Sequence, residues 1–303
     1  MSSPHDKAWS DFWARNRQSG QDGGCLPAKW QGIDAQQRAA WYRFAQLLPR
    51  NARVIDIATG DGRVMAWMLS KRRDLKLQGV DMAPELPDPP KGTKFRAGTT
   101  MESLPFPEGK FAAAASQFGF EYGDVALAAA ELARVVAKGG KIALMTHRID
   151  GPILEHNLRR REQINWVFET QDLFATAKRS LAARSAGLQL LAPKIKHCPA
   201  EGARLFGQGS AAWEISEAIR RTMIMGARQH SVHVAQTLDM IADQARNEIG
   251  RIASLEAACK QTSDETKFLQ ALEKGGLKQS SIEAVVEADS SQPFADFRIL
   301  SHS

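Results

Sequence analysis

The sequence contains few cysteines and no long apolar run. Its three cysteines, Cys25, Cys198 and Cys259, stand far apart and fit neither a zinc-ligand spacing nor a disulfide framework, so free thiols in a reducing compartment are expected. No stretch approaches the roughly 20 consecutive apolar residues that a membrane-spanning helix needs. The polar segment from Met1 to Asp11 lacks the apolar centre of a signal peptide. These absences predict a cytoplasmic protein without membrane insertion.

A concentrated basic region is also absent. The net charge is +6, and the surplus is spread out apart from small groups such as Lys71-Arg72-Arg73 and Arg159-Arg160-Arg161. Channels that bind single-stranded nucleic acid combine a basic groove with interleaved aromatic residues. Because the sequence has no such run, a nucleic-acid partner is not expected.

Metal-ligand patterns are scarce as well. His230 and His233 stand three residues apart and could form half of a metal site. No carboxylate or cysteine stands nearby at ligand spacing, so no metal is expected.

Strands and helices alternate through the first half of the chain. Strands are predicted at Arg53–Ile57, Leu75–Asp81, Lys94–Arg96, Phe111–Phe118 and Lys141–Thr146, with helices at Val64–Ser70 and Val125–Ala137 and a turn at Gly139-Gly140. Near the end, Thr262 and Glu265 are spaced as a capping box that opens a further helix. Two closing strands follow at Ser281–Ala288 and Phe294–Ser301. This alternation predicts an α/β fold with a doubly wound, mostly parallel, seven-stranded Rossmann-like sheet.

Helices are predicted on both sides of the first five strands. Trp9, Phe12 and Trp13 share one face of a short N-terminal helix, which either covers a ligand or attaches the helix to the core. A loop rich in Gly and Gln follows at residues 18–24, and a second helix is expected to begin at Asp34 as its N-cap.

A helical insertion is predicted after the fifth strand, with helices at Trp166–Ala183, Ala211–Met225 and Val232–Lys260. The last of these carries apolar residues at 3-4 spacing, which favours packing within the chain or, alternatively, a homodimer seam. The predicted domains are an N-terminal helical cap (residues 1–50), a ligand-binding domain (51–149 with 262–303) and the insertion (150–261).

A glycine-containing loop, Asp56-Ile57-Ala58-Thr59-Gly60-Asp61-Gly62, lies where the first strand turns into a helix. Glycines let the backbone approach a ligand, and the helix N-terminus offers unpaired N–H donors. Asp81 follows at the end of the second strand, where a carboxylate receives ribose hydroxyls. The combination predicts a ligand that contains adenosine.

Two other nucleotide motifs fit poorly. A dinucleotide loop requires a third glycine at the position of Met65, and a Walker loop requires Gly-Lys-Ser/Thr, which the sequence lacks.

Residues Arg53–His147 resemble a class I S-adenosylmethionine-dependent methyltransferase of the ubiquinone/menaquinone-biosynthesis style. The likeness rests on the loop Asp56–Gly62, on Gly79-Val80-Asp81, on Met101–Pro107 (Met-Glu-Ser-Leu-Pro-Phe-Pro) and on Glu131–Gly140. It implies S-adenosylmethionine as the cofactor.

The resemblance also implies site residues. Asp56, Ala58, Thr59, Gly60 and Gly62 would surround the methionine part of the cofactor; Asp81 would bind the ribose; Met82, Thr100 and Met101 would line the adenine; and Gln117 would face the amino-acid end or the methyl group. The chain departs from the family pattern at Ala58, where a glycine is usual, at Thr100, where an aspartate is usual, and at Ala112, where an aspartate commonly follows the phenylalanine.

Methyl transfer requires alignment of a nucleophile and, for many oxygen or nitrogen nucleophiles, a general base. Candidate bases follow the fourth and fifth strands, where open α/β sheets bind ligands. These candidates are Glu121, Tyr122 and His147, with Arg148 beside them. Each has the alternative of a purely structural role.

The insertion is expected to cover the acceptor, because it follows the fifth strand. Its aromatic and methionine residues, such as Trp166, Phe168 and Trp213, predict a small, at least partly hydrophobic methyl acceptor. Two alternatives stay open. The chain could methylate RNA or protein and use the insertion for docking, or it could bind S-adenosylmethionine without methylating.

Overall fold

The computed structural model describes residues 4–19, 31–185, 191–288 and 290–303. The chain divides into two compact units: Met1–Glu155 with Ala253–Ser303, and His156–Ile252. Within the described ranges, no helix is long and apolar enough to cross a bilayer. The expectations for Cys25 and for the loop after residue 19 lie outside the described residues.

The first unit contains a seven-stranded sheet. Its strands are β1 (Arg53–Ile57), β2 (Lys76–Val80), β3 (Lys94–Arg96), β4 (Phe111–Gln117), β5 (Val136–His147), β6 (Leu277–Val286) and β7 (Pro293–His302). The order is β3-β2-β1-β4-β5-β7-β6. The first five strands run parallel, and β7 lies antiparallel between β5 and β6. The predicted seven-stranded, mostly parallel sheet is therefore confirmed.

Helices accompany the sheet in chain order: α1 (Pro4–Ser19), α2 (Gln31–Gln46), α3 (Arg63–Lys71), α4 (Val125–Val135), α5 (Pro152–Asn165), α6 (Leu173–Ser185), α7 (Pro193–Phe206), α8 (Ala211–Met225), α9 (Ser231–Ser263) and α10 (Glu265–Lys274). A buried core joins strand and helix residues such as Ile55, Leu132, Ile142 and Phe268. This packing on a buried sheet explains the apolar run of β4 and the four consecutive buried residues of β1.

Several predicted boundaries are wrong for local reasons. Helix α2 begins before Asp34, whose carboxylate accepts a hydrogen bond from Arg38 instead of capping the helix. Helix α10 is capped by Asp264, which accepts from the Lys267 amide at 3.2 Å. The Thr262 hydroxyl of the predicted capping box donates instead to the His147 carbonyl.

Strand β5 is longer than its prediction. Phe111 of β4 pairs with Val136 and Ala113 pairs with Lys141, so the residues between them bulge out of one irregular strand. Gly139 provides the required backbone at φ 81°. The predicted turn at Gly139-Gly140 is therefore a bulge within β5.

The second unit is helical, as predicted, but its elements differ in part. Helix α8 has the predicted bounds, whereas α5 and α7 were not predicted. Trp166–Thr170 forms a π-helical turn, and Asp172, at φ 45°, separates it from α6. The prediction of one helix over Trp166–Ala183 is wrong because this irregular segment interrupts it.

The apolar stripe of α9 contributes to the second unit's own core. Val234 and Leu238 are buried there together with residues of α6, α7 and α8. A homodimer seam would have to use other residues of the insertion, and dimerisation stays a prediction.

Candidate functional site

The loop between β1 and α3 has three residues in the left-handed region. They are Ala58 (φ 52°), Gly60 (φ 54°) and Gly62 (φ 73°). Left-handed backbone is unfavourable for a residue with a Cβ, by roughly 1–2 kcal/mol, which explains the glycine usual at the position of Ala58. Gly119 leaves room for the Ala58 methyl group, since a Cβ at Gly119 would collide with it.

Thr59 is hydrogen-bonded both to β1, through Asp56, and to β2, through Val80. The Thr59 hydroxyl donates to Asp56 Oδ2 at 2.6 Å, and the Thr59 amide donates to the Val80 carbonyl at 3.0 Å. Burial raises the pKa of Asp56 to about 7, although the Thr59 hydrogen bond opposes this. A carboxyl group that titrates near neutral pH therefore lies at the start of the loop.

Asp81 connects this loop to the end of β2. Its Oδ2 accepts from the Gly60 amide at 3.0 Å, and its Oδ1 accepts from the Ala83 amide at 2.9 Å. Burial raises the pKa of Asp81, while the two backbone hydrogen bonds lower it. Each carboxylate oxygen has a second lone pair, so both can still accept a ligand hydroxyl.

The three expected adenine contacts differ in exposure. Met82 is 37% exposed and Thr100 is exposed, whereas Met101 packs partly buried beside the sheet core. The amide of Thr99, which the sequence did not indicate, donates to the Asp81 carbonyl at 2.8 Å. Thr99 thus ties the segment before Thr100 to the end of β2.

Gln117, the last residue of β4, is held by side chains of α2. Trp41 Nε1 donates to Gln117 Oε1 at 2.6 Å, and Gln117 Nε2 donates to Gln37 Oε1 at 3.3 Å. Gln37 and Trp41 are fully buried. Sequence reasoning missed both, because only the fold brings residues about 80 positions apart together.

His147 and Glu121 form a buried pair at the ends of β5 and β4. Glu121 Oε1 accepts from the backbone amide of His147 at 2.9 Å and lies 2.8 Å from His147 Nδ1. The ring of Phe118 stacks on the imidazole with centroids 4.0 Å apart, and Tyr122 approaches it edge-on at 6.0 Å. The structure therefore brings together all three residues predicted as candidate bases.

Phe118 itself adopts φ 55°. A bulky residue in this region is a backbone outlier, and such outliers concentrate at functional sites. No sequence signal pointed to Phe118 beyond its place at the end of β4.

Arg148, the fourth side chain considered at this edge, forms ion pairs with Asp150 and Asp296 at 2.9 and 2.7 Å. These pairs raise its pKa further above the ordinary value. Because a guanidinium is always protonated in proteins and carries no acceptor lone pair, Arg148 is not a candidate base.

The N-terminal aromatic residues lie at the same edge. The Trp13 indole lies against Gly60, and Trp9 meets Tyr122 edge-to-face at 5.6 Å. Both interpretations of this helix, as a cover and as a structural attachment, are compatible with these contacts.

The expectation that the protein binds no metal stays a prediction from the sequence. His230 and His233 have ring centroids 6.2 Å apart, and the described part of the chain contains no group of three potential metal ligands.

Comparison with known proteins gives a family for the sheet region. Residues 55–144 match the family model described as a methyltransferase domain. The chain is 29% identical over 124 residues to the demethylmenaquinone methyltransferase of Deinococcus radiodurans, covering 38% of this chain and 50% of that protein. It is 30% identical over 101 residues to the demethylmenaquinone methyltransferase of Thermus thermophilus, covering 31% and 46%. The matches thus span about half the length of these curated relatives.

Similar solved structures include a chain from the complex between the Haloferax volcanii Trm112 methyltransferase activator and the putative methyltransferase, with 11% identity, coverage of 100% and 99%, and a TM-score of 0.45. Another is geranyl diphosphate C-methyltransferase from Streptomyces coelicolor A3(2), with 16% identity, coverage of 55% and 73%, and a TM-score of 0.38. The family match therefore runs from β1 into β5, and it is a match to a methyltransferase domain.

Proposed function

We propose that this chain transfers a methyl group from S-adenosylmethionine to a small, at least partly hydrophobic acceptor. The observation that carries the proposal is the left-handed loop Ala58–Gly62, bonded to the Asp81 carboxylate at one edge of the sheet. The His147–Glu121 pair lies at the same edge. The two curated relatives are named for a small-molecule acceptor, demethylmenaquinone, which supports a small acceptor here.

The residues present fit the cofactor. Asp81 retains lone pairs for ribose hydroxyls, and the Trp13 indole, which lies in the space beside Gly60, would pack on the cofactor or move aside for it. Asp56, Thr59 and Gly62 would adjoin the methionine part, with Met82, Thr100 and Met101 at the adenine. When bound, S-adenosylmethionine supplies a methyl group activated on a sulfonium.

His147 would act as the general base. A carboxylate only accepts hydrogen bonds, so Glu121 fixes the neutral tautomer with its proton on Nδ1 and the lone pair on Nε2. Nε2 would then take the proton from an acceptor hydroxyl or N–H group as that atom receives the methyl group. Glu121 would stabilise the imidazolium that forms.

The first experiment measures cofactor binding and acceptor class. Calorimetry is expected to show micromolar or tighter binding of S-adenosylmethionine and S-adenosylhomocysteine, since the loop and Asp81 are already in place. Release of S-adenosylhomocysteine is then followed with small phenols, catechols and hydroxyquinones, and in parallel with total RNA and an unfolded protein. Methylation is expected with members of the small-molecule panel.

Three results would count against parts of this proposal. Binding of neither cofactor form would remove the central claim. Transfer to RNA or protein alone would replace the small acceptor by a macromolecule that the insertion docks. Binding without transfer to any acceptor would favour a non-methylating protein.

Cofactor affinity is expected to depend on pH through Asp56. In the free protein its carboxyl has a pKa of about 7, so it is mostly protonated at pH 6 and mostly ionised at pH 7.5. The positively charged cofactor favours the ionised form. Raising the pH from 6 to 7.5 should therefore strengthen S-adenosylmethionine binding by about five- to tenfold.

Asp56→Asn provides the matched control, because the amide oxygen can still accept the Thr59 hydrogen bond. Calorimetry over this pH range should give a flatter profile for the variant. Equal slopes for both proteins would show that another group is responsible.

The remaining assignments stay predictions: the division into residues 1–50, 51–149 with 262–303, and 150–261; acceptor recognition by the insertion; a cytoplasmic location; and a homodimer through insertion helices. Cys198 and Cys259 are free thiols, which is compatible with a reducing compartment.

A further inference from the structure

The side-chain amide of Gln37 is buried, and only its oxygen has a hydrogen-bond partner. Gln37 is fully buried on α2, and its Oε1 accepts from Gln117 Nε2. Its Nε2 has no hydrogen-bond partner among the described residues. Leaving a buried donor unpaired is unfavourable, so a ligand acceptor at this position would remove that penalty.

The direction in which the Gln37 amide faces follows from Trp41. An indole N–H can only donate, so the Gln117 atom beside Trp41 must be its oxygen. Gln117 therefore donates from its NH₂ group to Gln37, and the Gln37 atom that accepts this hydrogen bond must be its oxygen. The unpaired atom of Gln37 is then necessarily the nitrogen, because exchanging the two ends of the amide would place two donors against each other.

The position along the sheet indicates which part of a ligand meets this donor. Ala115 of β4 pairs with Asp56 of β1, so Gln117 lies level with Ala58 in the cofactor loop. Asp81, the expected ribose ligand, directly follows β2, which lies on the opposite side of β1 from β4. A cofactor that extends from Asp81 across the β1 loop brings its amino-acid end to Gln117 and Gln37.

The amino-acid end of the cofactor carries an ammonium and a carboxylate. An ammonium only donates hydrogen bonds and cannot pair with the Gln37 NH₂ group, whereas a carboxylate only accepts. We infer that Gln37 Nε2 donates a hydrogen bond to the carboxylate of the bound cofactor, and that Trp41 and Gln117 hold it in that orientation. This inference rests on the proposed function.

The test compares two ligands that differ at this end. S-adenosylhomocysteine has the amino-acid carboxylate, and 5′-methylthioadenosine has the same adenosine and thioether without it. Calorimetry at pH 8 is expected to show about tenfold weaker binding of S-adenosylhomocysteine to Gln37→Glu, with binding of 5′-methylthioadenosine unchanged. Gln37→Met should show the same selective loss.

The two variants separate a binding role from a structural one. Gln37→Glu keeps an oxygen for Gln117 Nε2, replaces the outward donor with an acceptor and adds a negative charge, whereas Gln37→Met removes both contacts without adding a charge. Gln46→Leu, at an exposed position on the same helix, is the control and should bind both ligands as the unchanged protein does.

The inference would be overturned if Gln37→Glu bound S-adenosylhomocysteine normally, or if both ligands weakened equally in both variants. A different result separates it from the proposed function. If the unchanged protein bound neither ligand, the methyltransferase proposal would fail before Gln37 was tested.

Discussion

Replacing His147 with alanine is expected to lower kcat by about 10²- to 10⁴-fold, the range usual for removal of a general base. The reason is the geometry of the buried pair, in which Glu121 lies 2.8 Å from His147 Nδ1 and, under the proposed mechanism, would leave Nε2 to take the proton. The effect should appear in steady-state kinetics with an acceptor from the small-molecule panel. Affinity for S-adenosylhomocysteine should stay the same, because the imidazole is assigned to the acceptor.

Two further variants sharpen this test. Glu121→Gln keeps an oxygen near the imidazole but removes the negative charge, so a smaller loss of kcat is expected. His197→Ala, at an exposed position on α7, should leave kcat unchanged. A normal kcat in His147→Ala would give the pair a structural role only, and would favour an acceptor that reacts without a base.

Asp81→Ala is expected to weaken S-adenosylmethionine and S-adenosylhomocysteine by about 1–3 kcal/mol, or roughly 5- to 150-fold. The carboxylate would lose its hydrogen bonds to the ribose and also its hold on the Gly60 amide. Calorimetry measures the loss directly, and circular dichroism reports whether the fold is intact.

Asp88→Ala is the matched control, because this aspartate lies exposed in the segment that follows. Its affinity for both cofactor forms should equal that of the unchanged protein. Normal binding by a folded Asp81→Ala protein would contradict the ribose assignment.

The fold could be predicted where its signals are local. The largely apolar strand β1, the loop after it and the acid after β2 all lie within a short segment, and the alternation of strands and helices predicts the class of sheet. The ends of helices and strands were harder to predict, because they depend on which of several nearby side chains forms the capping hydrogen bond. Thr262, for example, bonds to the carbonyl of His147 in a distant strand, and Asp264 takes the capping position.

The site divides in the same way. Asp56, Asp81 and His147 stand at strand ends that the sequence marks, so they could be named in advance. Gln37 and Trp41 lie on a helix that carries no motif, and their relation to Gln117 exists only after α2 has packed. The role of Phe118 at this site could not be predicted, because a left-handed backbone at a phenylalanine has no sequence signature.

The antiparallel strand β7 determines the order in which the sheet can be completed. Residues Ile142–His147 pair with Ala295–Leu300, so about 150 residues of chain must be synthesised between the two partners. During that time β5 presents an unpaired edge, which is a site for incorrect strand pairing. Because loop closure over such a distance is slow relative to local helix formation, the helices of the insertion can form while the cofactor-binding sheet still waits for its last two strands.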